Sequence, residues 1–443
     1  MKKVLVLGAG LVSGPLVRYL LDRGDIQVTV ATRRFERAQA QIAGRERGVA
    51  VALDAEDLDG LDRSVASADL CISLLPPAFH TRVAELALAH GRHFLTTSYV
   101  TDGMRVFDDA ARAAGLTFLN EVGLDPGIDH MSALRIVSGL RERGGAVTSF
   151  RSYCGGLPAP EACDNPWGYK FSWSPRGVVL AGRNAARYRE RGREVSLPGE
   201  QLFSRHWLVT VPGFGELEAY FNRDAVPYSD MYGLGDADCF FRATLRYVGW
   251  CFAMSKLVEL GYLSLDALAA PLPSTYAELT RRLAGFADGA DLRAELARLL
   301  DIDMNSDPLV RMEWLGLLGD DPVAWGGDET PLDALAAKML QKMNFAEGER
   351  DLCVMHHEIE GGLPGGRHER ITSTLIAYGE PGGDSAMSRT VGLPAAIAAA
   401  MILDGRIGDS GVLVPVTPSI YEPILDELAA SAGVIFTERT HEI

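Results

Sequence analysis

The chain has 443 residues, 47% hydrophobic and 23% charged. These proportions exclude disordered, collagen-like and coiled-coil classes and, at about 150 residues per domain, suggest two to four domains. Lys+Arg 43 against Asp+Glu 59 leaves a net charge of −16, which disfavours nonspecific binding to nucleic acid or anionic lipid, so an anionic ligand needs a locally basic pocket.

At the N-terminus, MKKVLVLGAG reads as a buried strand rather than a signal peptide, because Gly8 and Gly10 interrupt the apolar stretch. Up to residue 124 the pattern alternates. Runs at 4–7, 28–31, 49–53, 70–74, 93–97 and 117–119 predict strands, and helical periods at 12–22 and 81–90 lie between them. Such βαβ repetition, with right-handed crossovers, predicts a doubly wound parallel sheet. After residue 125 Gly and Pro become dense and aromatics enter loops, which predicts a second, α+β domain with strands at 149–154 and 208–211. From 236 to 345 the periods at 240–260, 264–270, 275–287, 292–300 and 331–343 predict a helical insertion with an acidic, Gly-rich interruption at 316–330. Strand-like alternation returns at 352–360 and 369–379. A last helix is expected at 394–404, starting at Pro394 and stopping before Gly405.

The six cysteines, 71, 154, 163, 239, 251 and 353, form no C-x-x-C pair and no zinc spacing. They predict reduced thiols, no disulfides and a cytoplasmic location. The longest apolar run, 393–403, falls short of the roughly 20 residues of a membrane span.

The first predicted strand runs into Gly8-Ala9-Gly10-Leu11-Val12-Ser13-Gly14. Gly8 permits a tight turn, Gly10 removes a side chain where a pyrophosphate approaches, and the following helix N-terminus offers free N–H groups. The third glycine of the common G-x-G-x-x-G spacing is replaced by Ser13, but the strand-turn-helix context supports a dinucleotide site. The second strand ends in Thr32-Arg33-Arg34 without the acidic residue that holds a ribose 2′-hydroxyl; two guanidiniums suit a 2′-phosphate, which favours NADP over NAD. The bland alternative is a solvated helix start. Asp54 and Leu75 end the third and fourth strands, where such sheets place the rest of the cofactor.

Further motifs follow: Thr96-Thr97-Ser98-Tyr99; Asn120-Glu121-Val122-Gly123-Leu124-Asp125-Pro126-Gly127-Ile128-Asp129-His130; Ser152-Tyr153-Cys154-Gly155-Gly156-Leu157-Pro158; and 165–177, with Trp167, Tyr169, Lys170, Phe171 and Trp173. With Asn222-Arg223-Asp224, Thr244-Leu245-Arg246-Tyr247, Glu347-Gly348-Glu349-Arg350-Asp351 and Arg389-Thr390-Val391-Gly392, they make essentially the whole chain resemble the glutamate-forming saccharopine dehydrogenases, also called saccharopine reductases. The resemblance implies reversible oxidative cleavage of L-saccharopine, with water and NADP, to L-glutamate and 2-aminoadipate 6-semialdehyde. It also implies the monofunctional form and a homodimer. The expected architecture is a Rossmann-type domain over 1–124 with a C-terminal return over 386–443, a substrate-binding α+β domain over 125–235 continued by 346–385, and the helical insertion over 236–345.

A tricarboxylate substrate on an acidic protein needs local cations. Arg223 and Arg246 are the candidates, since a guanidinium fork can pair with a carboxylate through two hydrogen bonds; ordinary ion pairs are the alternative. Hydride leaves the carbon beside the amine only if that amine is neutral, so proton transfers are required. Asp125 and Tyr99 are the candidates for them; the alternative is that Asp125 only caps the helix expected over 128–140, where Asp129 is the better cap-region residue. Cys154 is expected to face the site and hydrogen-bond, not to act as a nucleophile. Substrate contacts are also expected from Ser98, Leu245 and Tyr247, and cofactor contacts from Thr97, Ser98, Gly127 and Ser174. No metal is expected: on a strand His356 and His357 point to opposite faces. The competing readings are a related NADP-dependent reductase of another amine conjugate, such as carboxynorspermidine, and a non-catalytic nucleotide sensor.

Overall fold

The computed structural model describes residues 1–287, 289, 291–325 and 329–443. It divides into two compact units, Met1–Gly144 with Gly383–Phe436, and Gly145–Gly382 with Thr437–Ile443. Strands are numbered along the chain.

The first unit is built on a seven-stranded parallel sheet. Its strands are β1 (Lys2–Leu7), β2 (Ile26–Thr32), β3 (Gly48–Ala52), β4 (Leu70–Ser73), β5 (His93–Thr96), β6 (Thr117–Leu119) and β15 (Gly411–Leu413), in the order β15-β6-β5-β4-β1-β2-β3. Helices cover both faces, so the central strands are apolar almost throughout: Val4 and Val6 on β1, Val28 and Val30 on β2, and Leu70 and Ile72 on β4 are buried. Each such side chain contributes about 1.5–3 kcal/mol. The strand order reverses direction between β1 and β4, and in open parallel sheets that switch point at the carboxyl ends of the strands is where ligands bind.

The helix expected over 394–404 differs from its sequence expectation. It spans Ala386–Leu403 and is capped by the Ser385 hydroxyl, which accepts from Ser388 N–H; Pro394 lies in its interior and not at its start. By length and composition it could cross a membrane. It is mostly apolar because most of it is buried within the unit, packed against the helix Gly14–Asp22. Gly392 explains the close approach, since a Cβ there would lie 2.6 Å from Val12 O. A further helix, Pro418–Ala432, follows and packs on the helix Ile128–Glu142 through Arg135 to Asp426 at 2.8 Å and Ser138 to Tyr421 at 2.9 Å. These contacts keep 125–144 with the first unit, so the division falls after Gly144 and not after residue 124.

The second unit carries a mixed sheet of β7 (Ala146–Pro158), β10 (His206–Val211), β11 (Gly215–Phe221), β12 (Cys239–Arg246), β13 (Asp351–Leu363), β14 (Arg367–Tyr378) and β16 (Thr437–Glu442), in the order β10-β11-β12-β7-β13-β14-β16. A side hairpin, β8 (Ala186–Glu190) and β9 (Arg193–Leu197), joins at β12. Only the β12–β7 pairing is parallel. The terminal strand β16 therefore belongs here and not with the nucleotide sheet.

The period at 240–260 is a strand followed by the helix Trp250–Glu259, because β7 pairs with Cys239–Thr244 and β11 with Ala243–Arg246, and these ladders override its helical spacing. The helix expected at 264–270 is absent, and one over Asp307–Leu315 was not foreseen. The helices of 250–342 share one apolar core with the sheet, including Trp167, Trp250, Tyr169 and Leu335, so they do not form a separate compact unit. Of the interruption expected at 316–330, residues 326–328 lie outside the described residues.

Candidate active site

Gly8 follows β1 at φ +107, and a Cβ there would press on Leu74 O at 3.0 Å. Glycine is thus needed where the end of β1 passes the end of β4. Around Gly10 nothing lies within 4 Å of an added Cβ, which leaves room for a phosphate. Ala9 is buried and Leu11 is 60% exposed, and the helix begins after Val12 and Ser13, at Gly14. Ser13, in place of the usual third glycine, is fully buried; its hydroxyl donates to Gly10 O at 2.9 Å and accepts from Gln41 at 2.6 Å, bracing the turn. At the end of β2 the Thr32 hydroxyl accepts from Arg34 N–H at 3.4 Å. The Arg33 and Arg34 side chains are exposed and, among the described residues, make no ion pair. Asp54 turns the end of β3 by accepting from Glu56 N–H, and Leu75 follows β4 half-buried. Turn, open backbone and two exposed guanidiniums fit a pyrophosphate and a 2′-phosphate.

The segment after β5 carries Thr97, Ser98 and Tyr99, all partly exposed. Tyr99 OH donates to Asp125 Oδ1 at 2.7 Å. The helix Ile128–Glu142 starts at Gly127 without a side-chain cap, so Asp125 is not its cap. Asp129 does the local work, with Oδ1 accepting from Gly127 N–H at 2.6 Å. Gly127 stands at φ +145, and a Cβ would lie 2.1 Å from Gly123 O, so only glycine closes this loop. Sequence reasoning missed His80, whose Nδ1 bonds to Ser73 Oγ at 2.8 Å and whose Nε2 bonds to Ser98 Oγ at 2.9 Å. It thereby ties the end of β4 to the segment carrying Tyr99.

Burial pushes the His80 imidazole down from 6.5 to about 4. The unfolded chain takes up a proton below its ordinary value while the folded chain stays neutral, so stability falls as pH drops from 6.5 towards 4. The loss at pH 5 is about 2 kcal/mol. Denaturant titrations at pH 7 and pH 5 check this: His80→Gln is expected to lose less stability than wild type between the two, and parallel losses count against it.

In the second unit Arg246, on β12, is 5% exposed. Its guanidinium lies over the rings of Tyr169 at 4.9 Å and Trp250 at 5.5 Å, and Nη1 donates to Leu245 O at 2.8 Å. Among the described residues its Nε has no acceptor and it makes no ion pair. Cation–π contacts contribute about 2 kcal/mol when desolvated, against several for burying the charge, so this group is equipped to bind an anion. The register places Glu218 opposite Arg246, and Tyr220, Thr244 and Cys154 in one row. Paired residues share a face, so the buried Cys154 thiol lies on the Arg246 face of the sheet. The Leu245 side chain points the other way, buried against Gly155. Tyr247 OH donates to Pro158 O at 3.0 Å. Arg223 is exposed at φ +56 after β11, with its carbonyl accepting from Arg187 N–H. Ser174 caps the helix Pro175–Ala181.

Within the 165–177 motif the buried Lys170 has a structural purpose, bridging Glu349 at 2.7 Å and Asp164 at 2.9 Å. Burial opposes its charge, but the two carboxylates outweigh this and hold its ammonium above the ordinary value. His356 bonds to Thr374 Oγ1 at 2.8 Å. Three possible metal donors, His206, Glu218 and Cys251, lie within 4.8 Å of one another, but Glu218 already accepts from Cys251 N–H at 2.7 Å and faces His206 Nε2 at 3.4 Å.

Residues 4–119 match the saccharopine dehydrogenase NADP binding domain and 123–434 the saccharopine dehydrogenase C-terminal domain. The chain belongs to the saccharopine dehydrogenase family. It is 40% identical over 450 residues to saccharopine dehydrogenase [NADP(+), L-glutamate-forming] of Pyricularia oryzae, covering 99% of each chain. To the enzyme of that name from Schizosaccharomyces pombe it is 39% identical, covering 97% of each. The apo saccharopine dehydrogenase (L-Glu forming) from Saccharomyces cerevisiae has the same fold, with a TM-score of 0.88 at 37% identity over 100% of both chains. Within this family frame, the glycine turn and paired arginines lie in the NADP-binding match, and Asp125, Cys154, Arg223 and Arg246 in the C-terminal one.

Proposed function

We propose that this chain catalyses the reversible NADP-dependent oxidative cleavage of L-saccharopine to L-glutamate and 2-aminoadipate 6-semialdehyde. The observation that carries the reading is the pairing of 99% of the chain with an L-glutamate-forming enzyme along 99% of that enzyme's length. NADP, when bound, accepts the hydride; the chain's own groups bind, orient and move protons.

Gly8, Gly10 and the helix N-terminus hold the pyrophosphate, and Arg33 and Arg34 the 2′-phosphate. Arg246, with its buried fork short of an acceptor, binds a substrate carboxylate, and Arg223 a second one. Asp125, hydrogen-bonded to Tyr99, takes the proton from the secondary amine and returns it as water adds and the carbon–nitrogen bond breaks. Cys154 contributes a hydrogen bond on the Arg246 face. The enzyme acts as a cytoplasmic homodimer.

Absorbance of the reduced nicotinamide with saccharopine plus NADP tests the reaction, with carboxynorspermidine as the rival substrate. Turnover of saccharopine is expected, and none with NADP or NAD overturns it. With the Arg33→Ala/Arg34→Ala pair, KM for NADP is expected to rise at least about 10-fold and that for NAD to change little; equal losses remove the 2′-phosphate assignment.

A further inference from the structure

Three buried ionisable side chains near the Tyr99–Asp125 pair have no place in the proposed chemistry: Glu121, Asp129 and His130, which are 1%, 2% and 0% exposed. Burying two carboxylates is costly unless both are paired and hydrogen-bonded, so their partners disclose their task. Glu121 stands at φ +59, a region that side chains other than glycine seldom occupy. In that conformation its N–H donates to Ser98 O at 3.1 Å and its Oε1 accepts from Val100 N–H at 2.9 Å. The two bonds bracket Tyr99.

On the other side, Asp129 Oδ1 accepts from Gly127 N–H at 2.6 Å, and Gly123 N–H donates to Pro126 O at 2.9 Å, closing the loop that carries Asp125. His130 joins the halves: Nε2 meets Glu121 Oε2 at 2.8 Å and Nδ1 faces Asp129 Oδ2 at 3.6 Å. One imidazole thus connects the carboxylate that fixes Tyr99 to the carboxylate that fixes the Asp125 loop.

We propose that Glu121, His130 and Asp129 are positioning residues that set the Tyr99–Asp125 hydrogen bond for proton transfer. The proposal rests on the assignment of that pair in the saccharopine reaction. Residues that act as a unit give non-additive losses, and misplacement by about 1 Å far from the chemistry can cost about 100-fold.

The test is a double-mutant cycle of His130→Ala and Asp125→Asn, assayed with saccharopine and NADP and checked for folding by thermal melting. Alone, His130→Ala is expected to lower kcat by about 10–100-fold, with KM for both substrates within about 3-fold of wild type. In the Asp125→Asn background it is expected to add less than about 3-fold. His130→Gln, which still donates to Glu121, should recover part of the loss. An unchanged kcat in folded His130→Ala, a loss that multiplies with Asp125→Asn, or a loss confined to KM overturns the positioning role. If His130→Ala does not fold, Asp129→Asn is read in the same cycle by the same criteria. A wild type without saccharopine turnover overturns the reaction itself, whereas active wild type with unaffected variants overturns the positioning alone.

Discussion

Asp125→Asn is expected to lower kcat for saccharopine oxidation by about 100-fold or more, with KM for saccharopine changing less than about 3-fold. The amide is nearly the same shape as the carboxylate and its oxygen can still accept from Tyr99 OH, which lies 2.7 Å from Oδ1 in the native protein. Loop geometry should survive, because Asp129 and Gly127 hold it without Asp125. What is lost is the capacity to take a proton, which matters in the transition state and not in binding, so the effect belongs in kcat. Steady-state kinetics at saturating NADP decide it. An equal rise in KM would assign Asp125 to substrate binding, and an unchanged kcat would remove it from proton transfer.

Arg246→Met should act in opposite directions on affinity and stability. Without ligand, the Arg246 charge is buried with one backbone acceptor, two aromatic faces and an unsatisfied Nε. Replacing such a charge by an apolar side chain of similar volume is often neutral or stabilising by about 1–4 kcal/mol. A rise in Tm of about 1–3 °C is expected for the unliganded protein. Saccharopine KM should rise about 10–100-fold, from a charge-assisted hydrogen bond contributing about 1.5–3 kcal/mol. Scanning calorimetry of the unliganded variant, with its kinetics, checks both. A lower Tm with unchanged KM would make Arg246 a structural residue.

How much of the site was legible in the sequence can be judged residue by residue. Gly8, Gly10 and Thr32-Arg33-Arg34 could be placed after strand ends because each lies within a few residues of one, and a strand-turn-helix unit is a local structure. The pairing of Tyr99 with Asp125 was foreseen only as two candidates at the ends of neighbouring strands. The hydrogen bond between them, and the choice against Asp125 as a helix cap, required the loop to close around Gly127. His80 and His130 were not singled out, because their contacts depend on how the chain turns back: His80 reaches Ser98 only when β4 and β5 lie side by side, and His130 meets Glu121 only once the loop after β6 closes. The region 240–246 shows the converse failure, since apolar residues spaced for a helix became the interior strand β12 once two neighbours offered hydrogen bonds.

The order of alternating apolar runs by itself determined the parallel sheet of the NADP-binding match and the glycine turn after its first strand, because periodicity and glycine chemistry act over short distances along the chain. Tertiary structure alone decided that Arg246 is buried and, among the described residues, makes no ion pair, that β16 joins the second sheet, and that one histidine links the two carboxylates beside Tyr99 and Asp125. Those facts depend on which strands become neighbours, and burial and pairing are properties of groups that sequence separation does not bring together.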